Sequence, residues 1–249
     1  MMSTATAVRV KPGVFLTAGW RHLVMLNFTI DPAVLEPLVP RGTELDFWNG
    51  QAYVSVVGFQ FVNARILGIP APFHGSFEEV NLRFYVVRHV DGEMRRGIVF
   101  IREIAPKWLV TLIARWFYNE NYVTMTMRQR IELPRRNEAG LVQYEWFHAG
   151  RWQHVSAHLH GDAHPLASGS EEEFIAEHYF GYTRQPDGST MEYEVEHPPW
   201  RIWQASSPNY DCDVASIYGV EFVPWLRRPS SVFVADGSAI TVRRGQRIA

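Results

Sequence analysis

The 249-residue sequence is poor in cysteine, in lysine and in long apolar runs. Its one cysteine, Cys212, excludes an intramolecular disulfide and gives no support for secretion. A transmembrane helix needs about 18 apolar residues in a row, and the sequence contains no such run. Residues 1–10 also lack the layout of a signal peptide. We therefore expect a cytoplasmic protein that does not associate with a membrane.

The sequence has neither a strong net charge nor a strong catalytic motif. A net charge of −2 argues against a dedicated nucleic-acid surface. There is no Gly-x-Ser-x-Gly elbow, phosphate-binding glycine loop or dinucleotide fingerprint, so hydrolase, kinase and dehydrogenase functions lack support. We expect no nucleic-acid partner and no cofactor. The sequence leaves the oligomeric state open, and a homo-oligomer is one alternative.

Turn residues divide the chain into many short segments that are typical of strands. Residues 1–12 are expected to be a flexible tail and residues 13–249 a single domain. The predicted strands cover 20–30, 44–48, 51–62, 77–88, 97–104, 122–133, 141–147 and 151–160. This pattern predicts a mainly β (α+β) fold, a barrel or sandwich with a few peripheral helices.

Local signals place the turns and helices. Asn49-Gly50 predicts a tight hairpin between strands, and Asp31-Pro32 predicts a helix start. Ser170 and Glu173 form a capping box for a helix that runs to Tyr179. The apolar spacing of residues 107–118 predicts another helix.

The strongest functional pattern is a strand with one polar face. Glu79, Asn81, Arg83 and Tyr85 alternate with the apolar residues between them, so they share a face. Alternation alone favours a solvated outer face with a cross-strand ion pair. The alternative is a cavity wall on which an acid, an amide and a guanidinium orient an anionic ligand.

Lys107 is one of only two lysines and follows the segment Arg102-Glu103-Ile104-Ala105-Pro106. It is either a Schiff-base nucleophile or an ordinary lysine in the first turn of a helix. A lysine is protonated at neutral pH unless burial or a nearby cation lowers its pKa. The sequence does not decide between the two roles.

Other polar groups have weaker signals. His154, His158 and His160 share one strand face and offer an alternative divalent-metal site. Glu192, Glu194 and Glu196 alternate in the same way and favour a solvated surface, while His197 has the opposite parity. Two flanking acids make Cys212 a poor candidate for a reactive thiolate.

The chain resembles an uncharacterised bacterial family, DUF2071 (YqjF-like), which is distantly similar to acetoacetate decarboxylase. The matching segments are Trp20-Arg21-His22-Leu23, Ile30-Asp31-Pro32 to Leu38-Val39-Pro40, Gly42 to Asp46, residues 77–86, Val99-Phe100-Ile101-Arg102-Glu103, Tyr118-Asn119-Glu120-Asn121-Tyr122, Tyr193-Glu194-Val195-Glu196-His197 and Gly237-Ser238. They span nearly the whole chain.

This resemblance implies an antiparallel β-cone that encloses a small-molecule cavity. In the decarboxylases a glutamate in a context like that of Glu79 lies in the cavity, and an Arg-Glu…Pro-Lys-Lys segment carries the Schiff-base lysine. Lys107 occupies the matching place, but the interval after Glu103 is shorter and Trp108 replaces the second lysine. In acetoacetate decarboxylase, a neighbouring cation of this kind activates the nucleophilic lysine.

Three hypotheses follow. The first is a Schiff-base decarboxylase or related lyase for a keto-acid-like substrate. Its catalytic residues are Lys107 and Glu79, and its substrate-binding residues are Arg83, Asn81, Arg102, Glu103 and Tyr85. The second is a non-catalytic binding or sensing protein that keeps the cavity. The third is a metal-dependent enzyme that uses the His154–His160 strand.

Overall fold

A computed structural model describes residues 11–70, 75–106, 121–135 and 138–249. Strands dominate these residues and confirm the predicted mainly β fold class. The strands are β1 (Val14–Ile30), β2 (Glu44–Leu45), β3 (Ala52–Ile66), β4 (Ile69–Pro70), β5 (Phe77–Val90), β6 (Glu93–Ala105), β7 (Tyr122–Thr124), β8 (Met127–Glu132), β9 (Gly140–His148), β10 (Arg151–Pro165), β11 (Phe180–Arg184), β12 (Thr190–Glu196), β13 (Arg201–Asp211), β14 (Ser231–Ala235), β15 (Ala239–Arg243) and β16 (Gln246–Ile248).

The helices in these residues are short. They are α1 (Pro32–Leu35), α2 (Glu171–Ala176) and α3 (Val214–Ile217), with 3-10 turns at Glu36–Leu38 and Val220–Phe222. None of the helices in the described ranges has the length and apolar character of a membrane span. The helix predicted for residues 107–118 lies outside the described residues.

The strands form one mostly antiparallel sheet whose pairings return on themselves. From β1 the pairings run through β3, β5, β6, β11, β12 and β15 and back to β1. The long strand β1 makes this closure because its first half pairs with β15 and its second half with β14. From β14 the sheet continues through β13, β10 and β9 to β8 and forms a second layer.

Both faces of β5 are buried between these layers. On one face Val80, Leu82 and Phe84 pack in a core with Tyr144 and Trp146 of β9. The opposite face carries Tyr85, which belongs to a second core with residues of β1, β3 and helix α2. Successive side chains of β5 therefore point alternately into two cores, and neither face of the strand is directed to solvent.

Two Gly-containing turns place the strands around β5. Asp91 and Gly92 have φ values of 50° and 82° and join β5 directly to β6. Asn49 and Gly50 have φ values of 49° and 75°, as the predicted tight hairpin requires. That hairpin closes only the Trp48–Gln51 bridge. The predicted strand 44–48 shrinks to β2, which pairs with β5 instead of β3.

The Ser170 cap of α2 is confirmed, but the return bond of the predicted capping box goes to the amide before the cap residue. Ser170 Oγ accepts from the Glu173 amide over 3.2 Å, and the Glu173 carboxylate accepts from the Gly169 amide over 2.7 Å. The predicted end at Tyr179 is wrong, because the helix stops at Ala176. The shorter helix leaves residues 177–179 outside regular secondary structure before β11, and His178 is buried there.

The predicted strand 122–133 is divided in two. β7 pairs in parallel with β6, whereas β8 pairs with β9 in the second layer. Most of the predicted tail, residues 1–10, lies outside the described residues. Lys11 lies at its end and donates to Glu194 over 2.7 Å and to Glu196, both on β12.

Candidate functional site

The polar face of β5 is buried. The exposed fractions of Glu79, Asn81, Arg83 and Tyr85 are 1%, 2%, 7% and 1%. The solvated-face interpretation is therefore wrong, because this face turns toward the second core and lies under α2. Charged and amide groups are seldom buried without polar partners or a function, so we expect each group on this face to bind either a neighbouring side chain or a ligand.

Two carboxylates, one phenol and one amide meet at one end of this face. Tyr122 donates to Glu79 Oε2 over 2.8 Å, and Asn81 Nδ2 donates to Glu79 Oε1 over 3.1 Å. Glu103 of β6 lies opposite Asn81 in the β5–β6 pairing and opposite Tyr122 in the β6–β7 pairing. We call Glu79, Asn81, Glu103 and Tyr122 the acidic centre.

Tyr122 is the hydroxyl donor of the acidic centre. Burial, followed by the negative charges of Glu103 and Glu79, raises the pKa of Tyr122 far above its ordinary value. Its hydroxyl is consequently protonated at neutral pH and donates to a carboxylate. Tyr122 was quoted in the family resemblance but was not predicted to be a site residue. Its position depends on the parallel pairing of the three-residue strand β7 with β6, for which the sequence has no local signal.

Arg83 lies four residues along β5 from Glu79 and faces helix α2. Its Nη2 donates to the carbonyl of Ile175 over 3.2 Å, and its guanidinium carbon lies 5.6 Å from the centre of the Tyr85 ring. Within the described residues, Arg83 Nε and Asn81 Oδ1 are buried and have no hydrogen-bond partner. The face therefore has donor and acceptor capacity left for a ligand.

A buried polar chain fixes Tyr85 and helix α2 to the sheet. Ser55 donates to Asn27 over 2.6 Å, so the Tyr85 hydroxyl, 2.6 Å from Ser55 Oγ, is the donor to Ser55. Asn27 Nδ2 donates to Ser231 over 2.9 Å, and Ser231 donates to Glu171 in the first turn of α2. This chain holds α2 in the place where its last turn meets Arg83.

His178, just beyond α2, packs on Tyr85. The two rings are 4.7 Å apart, and His178 Nε2 lies 3.3 Å from Asp46 Oδ2. Arg96 Nε lies 3.1 Å from the same oxygen. Burial lowers the pKa of His178 to about 4, against the opposing effect of Asp46 and with the added effect of the Arg83 charge. The imidazole is therefore neutral at pH 7.

Aromatic residues form a wall next to the acidic centre. Phe59 lies opposite Glu79 in the β3–β5 pairing, and its ring is 5.5 Å from that of Trp20. His197 stacks on Trp200 at 4.3 Å, and Trp20 lies 6.3 Å from Trp200. Burial lowers the pKa of His197, and the charge of Arg83 lowers it further. His197 is thus half-buried against this wall, and the charge of Arg83 reaches it.

The Gly237-Ser238 corner holds this wall in place. The amide of Trp20 donates to the Ser238 carbonyl over 2.9 Å, and Trp200 Nε1 donates to Ser238 Oγ over 3.0 Å. Gly237 has a φ of 77°, and a Cβ there would lie 2.1 Å from the Trp20 carbonyl oxygen. Only glycine fits where these two segments of the chain approach each other so closely.

The remaining predicted binding residues divide between the two faces. Glu103 belongs to the acidic centre, but Arg102 does not join it. Arg102 lies opposite Leu82, whose side chain faces the other core, and its charge lowers the pKa of Tyr218 against the larger raising effect of burial. Alternation along β6 explains this separation, since consecutive side chains point to opposite faces. Lys107 and Trp108 lie outside the described residues.

The weaker candidates lie either at the surface or in structural contacts. His158 and His160 are exposed on β10, and the described residues contain no group of three metal-capable side chains that could hold a metal ion. Glu192 is 4% exposed and binds Arg88 and Arg95, so its predicted solvated position is wrong. Burial, more than the flanking acids, raises the pKa of Cys212 to about 12.

Comparison with known proteins identifies the family of this chain. The model of DUF2071, described as an uncharacterized conserved protein, matches residues 17–239. The chain belongs to the DUF2071 family. A relative from Bacillus subtilis, the uncharacterized protein YqjF, is 27% identical over 221 residues, which are 86% of each chain.

Solved structures show the fold that this DUF2071 protein shares. The enduracididine biosynthesis enzyme MppR in complex with pyruvate has a TM-score of 0.65 at 14% identity, over 99% of this chain and 95% of MppR. Acetoacetate decarboxylase from Legionella pneumophila has a TM-score of 0.65 at 12% identity, over 100% and 92%. An acetoacetate decarboxylase-like enzyme from Sphingomonas wittichii has a TM-score of 0.63 at 16% identity, over 100% and 98%. The predicted acetoacetate-decarboxylase-like fold is confirmed.

Proposed function

We propose that this protein binds a small oxo-carboxylate between the acidic centre and Arg83, and that Lys107 forms an imine with its keto group. The observation that carries the proposal is the burial of Glu79, Asn81 and Arg83 on one face of β5. Burying an acid, an amide and a guanidinium costs free energy that a purely structural strand avoids by using apolar residues. A pocket for a polar ligand explains why they are there.

Arg83 is the proposed carboxylate-binding residue. Its Nη2 is bound to a backbone carbonyl, which orients the guanidinium, while its buried Nε has no partner in the described residues. A planar guanidinium suits a carboxylate because two N–H groups can donate to its two oxygens. The low exposure of the site strengthens this attraction relative to that in water.

Lys107 is the proposed nucleophile because it follows Glu103 of the acidic centre by four residues in the sequence. The other lysine, Lys11, is half-exposed and donates to two glutamates. The hydrogen bond to Glu194, followed by that to Glu196, raises the pKa of Lys11. A raised pKa keeps an amine protonated and makes it a poor nucleophile. Lys11 therefore provides a matched control within the same chain.

The proposed reaction balances without a cofactor. The neutral Lys107 amine adds to the ketone, and loss of water gives a protonated imine. Breaking the carbon–carbon bond to a β-carboxylate releases CO₂ and sends its electron pair into the imine, which becomes an enamine. A proton then returns to the enamine carbon, and water releases the ketone product and the free lysine. Glu79 is the proposed proton carrier, and Tyr122 donates the hydrogen bond that orients its carboxylate.

The name of one structural neighbour guides the choice of probe. MppR was solved with pyruvate, a 2-oxo-carboxylate. At 14% identity this likeness concerns the fold, so pyruvate serves here only as a candidate ligand of suitable size and charge. Acetoacetate, a 3-oxo-carboxylate, is the matching candidate for decarboxylation.

Borohydride trapping tests the proposal. The purified protein is incubated with pyruvate or acetoacetate, reduced, digested and mapped by mass spectrometry. We expect a reduced adduct on the Lys107 peptide in the wild type and in Lys11→Arg, and none in Lys107→Arg. An adduct confined to Lys11 or to the amino terminus, or no adduct at all, contradicts the imine step.

A non-catalytic binding protein is the second candidate function, and Trp108 favours it. The residue after Lys107 is an indole in place of the cation that activates the nucleophile in acetoacetate decarboxylase. Calorimetric titration of Lys107→Arg with pyruvate separates the two candidates. Binding that survives in this variant, together with no trapped adduct in the wild type, assigns the site to ligand recognition alone.

A further inference from the structure

The Asp46–His178 pair is a polar feature of the interior that the proposed reaction does not use. His178 is 7% exposed, and its ring lies 4.7 Å from that of Tyr85 and 5.2 Å from that of Phe174. Asp46 is also buried, and Arg96 lies 3.1 Å from its Oδ2. The pair therefore lies in the core beside the polar face of β5.

The hydrogen-bond partner of His178 Nε2 determines which nitrogen of the ring carries the proton. His178 Nε2 lies 3.3 Å from Asp46 Oδ2, and a carboxylate beside an arginine accepts hydrogen bonds. Nε2 consequently carries the proton. In a neutral imidazole the other nitrogen, Nδ1, is then an acceptor. His178 Nδ1 is buried and has no hydrogen-bond partner among the described residues.

The side chain that carries this acceptor and the proposed carboxylate-binding residue Arg83 share a neighbour. Tyr85 contacts both groups: its ring centre is 4.7 Å from that of His178 and 5.6 Å from the guanidinium carbon of Arg83. The charge of Arg83 also contributes to the lowered pKa of His178, after the larger effect of burial. Arg83 and His178 thus pack against the same Tyr85 ring, beside the polar face of β5.

We propose that His178 Nδ1 accepts a hydrogen bond from a hydroxyl group of the ligand, so that the site selects hydroxy-substituted oxo-carboxylates over unsubstituted ones. A buried acceptor without a donor is costly, and a ligand hydroxyl removes that cost. A site built to bind a hydroxyl rejects the analogue that lacks it, because its own polar group is then unpaired. This inference rests on the proposed carboxylate site at Arg83, but it does not require imine formation by Lys107.

Hydroxypyruvate and pyruvate form the test pair because they differ by one hydroxyl. Both are titrated calorimetrically into Lys107→Arg, in which no imine contributes to affinity. We expect hydroxypyruvate to bind about tenfold more tightly, the size of one hydrogen bond to a buried group. Adding His178→Leu, whose side chain has no hydrogen-bond acceptor, should reduce the affinity ratio to about one. Adding His197→Gln should preserve it, since His197 Nδ1 already bonds the Pro198 carbonyl over 3.0 Å.

Three outcomes have distinct meanings. Equal affinities for the two probes overturn the role of His178 and leave the carboxylate site standing. Binding of neither probe overturns the carboxylate site, and the inference with it. A ratio that survives His178→Leu also overturns the inference, because another group must then recognise the hydroxyl.

Nitrogen NMR of the ¹⁵N-histidine-labelled Lys107→Arg protein gives a second measurement that does not depend on a His178 variant folding well. We expect the Nδ1 resonance of His178 to be that of an unprotonated nitrogen and to move when hydroxypyruvate binds, but not with pyruvate. A protonated Nδ1 in the free protein, or an identical response to both probes, contradicts the proposal.

Discussion

The Tyr122 hydroxyl donates to Glu79 Oε2 over 2.8 Å and joins β7 to β5 across the intervening strand β6. The bond lies in the interior, where Glu79 is 1% and Tyr122 8% exposed. It therefore combines two tasks: it attaches a three-residue strand to the sheet, and it places a protonated phenol against a carboxylate in the candidate site.

Replacing Tyr122 with Phe removes the hydroxyl and keeps the packing of the ring, so it tests the hydrogen bond alone. We expect Tyr122→Phe to lose about 1–3 kcal/mol of unfolding free energy, because Glu79 loses a buried donor, and to weaken oxo-carboxylate binding. Urea denaturation and calorimetric titration measure the two effects. Tyr144→Phe is the matched control: its hydroxyl donates to the His22 carbonyl over 3.0 Å, away from the site, so stability should fall without a change in affinity.

Arg83 and Arg102 lie on neighbouring strands but on opposite faces, so they form a natural pair of variants. We expect Arg83→Gln to weaken pyruvate binding by more than about tenfold, since a charge-assisted hydrogen bond to the carboxylate is lost. Arg102→Gln should leave the affinity unchanged. A loss of affinity in Arg102→Gln equal to that in Arg83→Gln would place the carboxylate elsewhere.

Local chemistry allowed much of the fold to be predicted from the sequence. The alternation of β5, the left-handed Asn49-Gly50 turn and the Ser170 cap each depend on residues within a few positions of one another. Alternation correctly grouped Glu79, Asn81 and Arg83, but it could not tell which side of the strand is solvated. That depends on β9 and α2, which cover the two faces of β5 and are distant in sequence.

The parts of the site that were missed depend on long-range contacts. His178 meets Asp46 across 132 residues and Tyr122 meets Glu79 across 43, so no spacing rule connects them. Glu192 shows the same limit. Its strand has the alternation of a solvated acidic face, yet Arg88 and Arg95, on the hairpin formed by β5 and β6, supply two cations and bury it.

The buried ion pairs of Glu192 with Arg88 and Arg95 lead us to expect a large loss of stability when the Glu192 carboxylate becomes an amide. Glu192 accepts from Arg88 over 2.8 Å and from Arg95 over 2.9 Å, and it is 4% exposed. Removing one partner of a buried ion pair costs about 3–5 kcal/mol, so Glu192→Gln should lower the unfolding free energy by about that amount. Glu132→Gln, which breaks the exposed pair with Arg130, should cost no more than about 1 kcal/mol in the same urea titration. Similar losses in both variants would contradict this difference.

The low pKa of His178 predicts how stability depends on pH. Burial holds this pKa at about 4 in the folded protein, below the ordinary value of 6.5. Below pH 6.5 the unfolded chain binds a proton at this histidine that the folded chain does not, so folding stability falls as the pH decreases from 6.5 to 4. The loss attributable to His178 is on the order of 3 kcal/mol at pH 4 and is absent above pH 6.5.

Other groups titrate in the same window, so the measurement is the difference between the wild type and His178→Gln in urea titrations from pH 4 to pH 7. We expect the wild type to lose stability more steeply toward pH 4 than the variant. Parallel curves would mean that His178 is already protonated, or is solvated, in the folded protein.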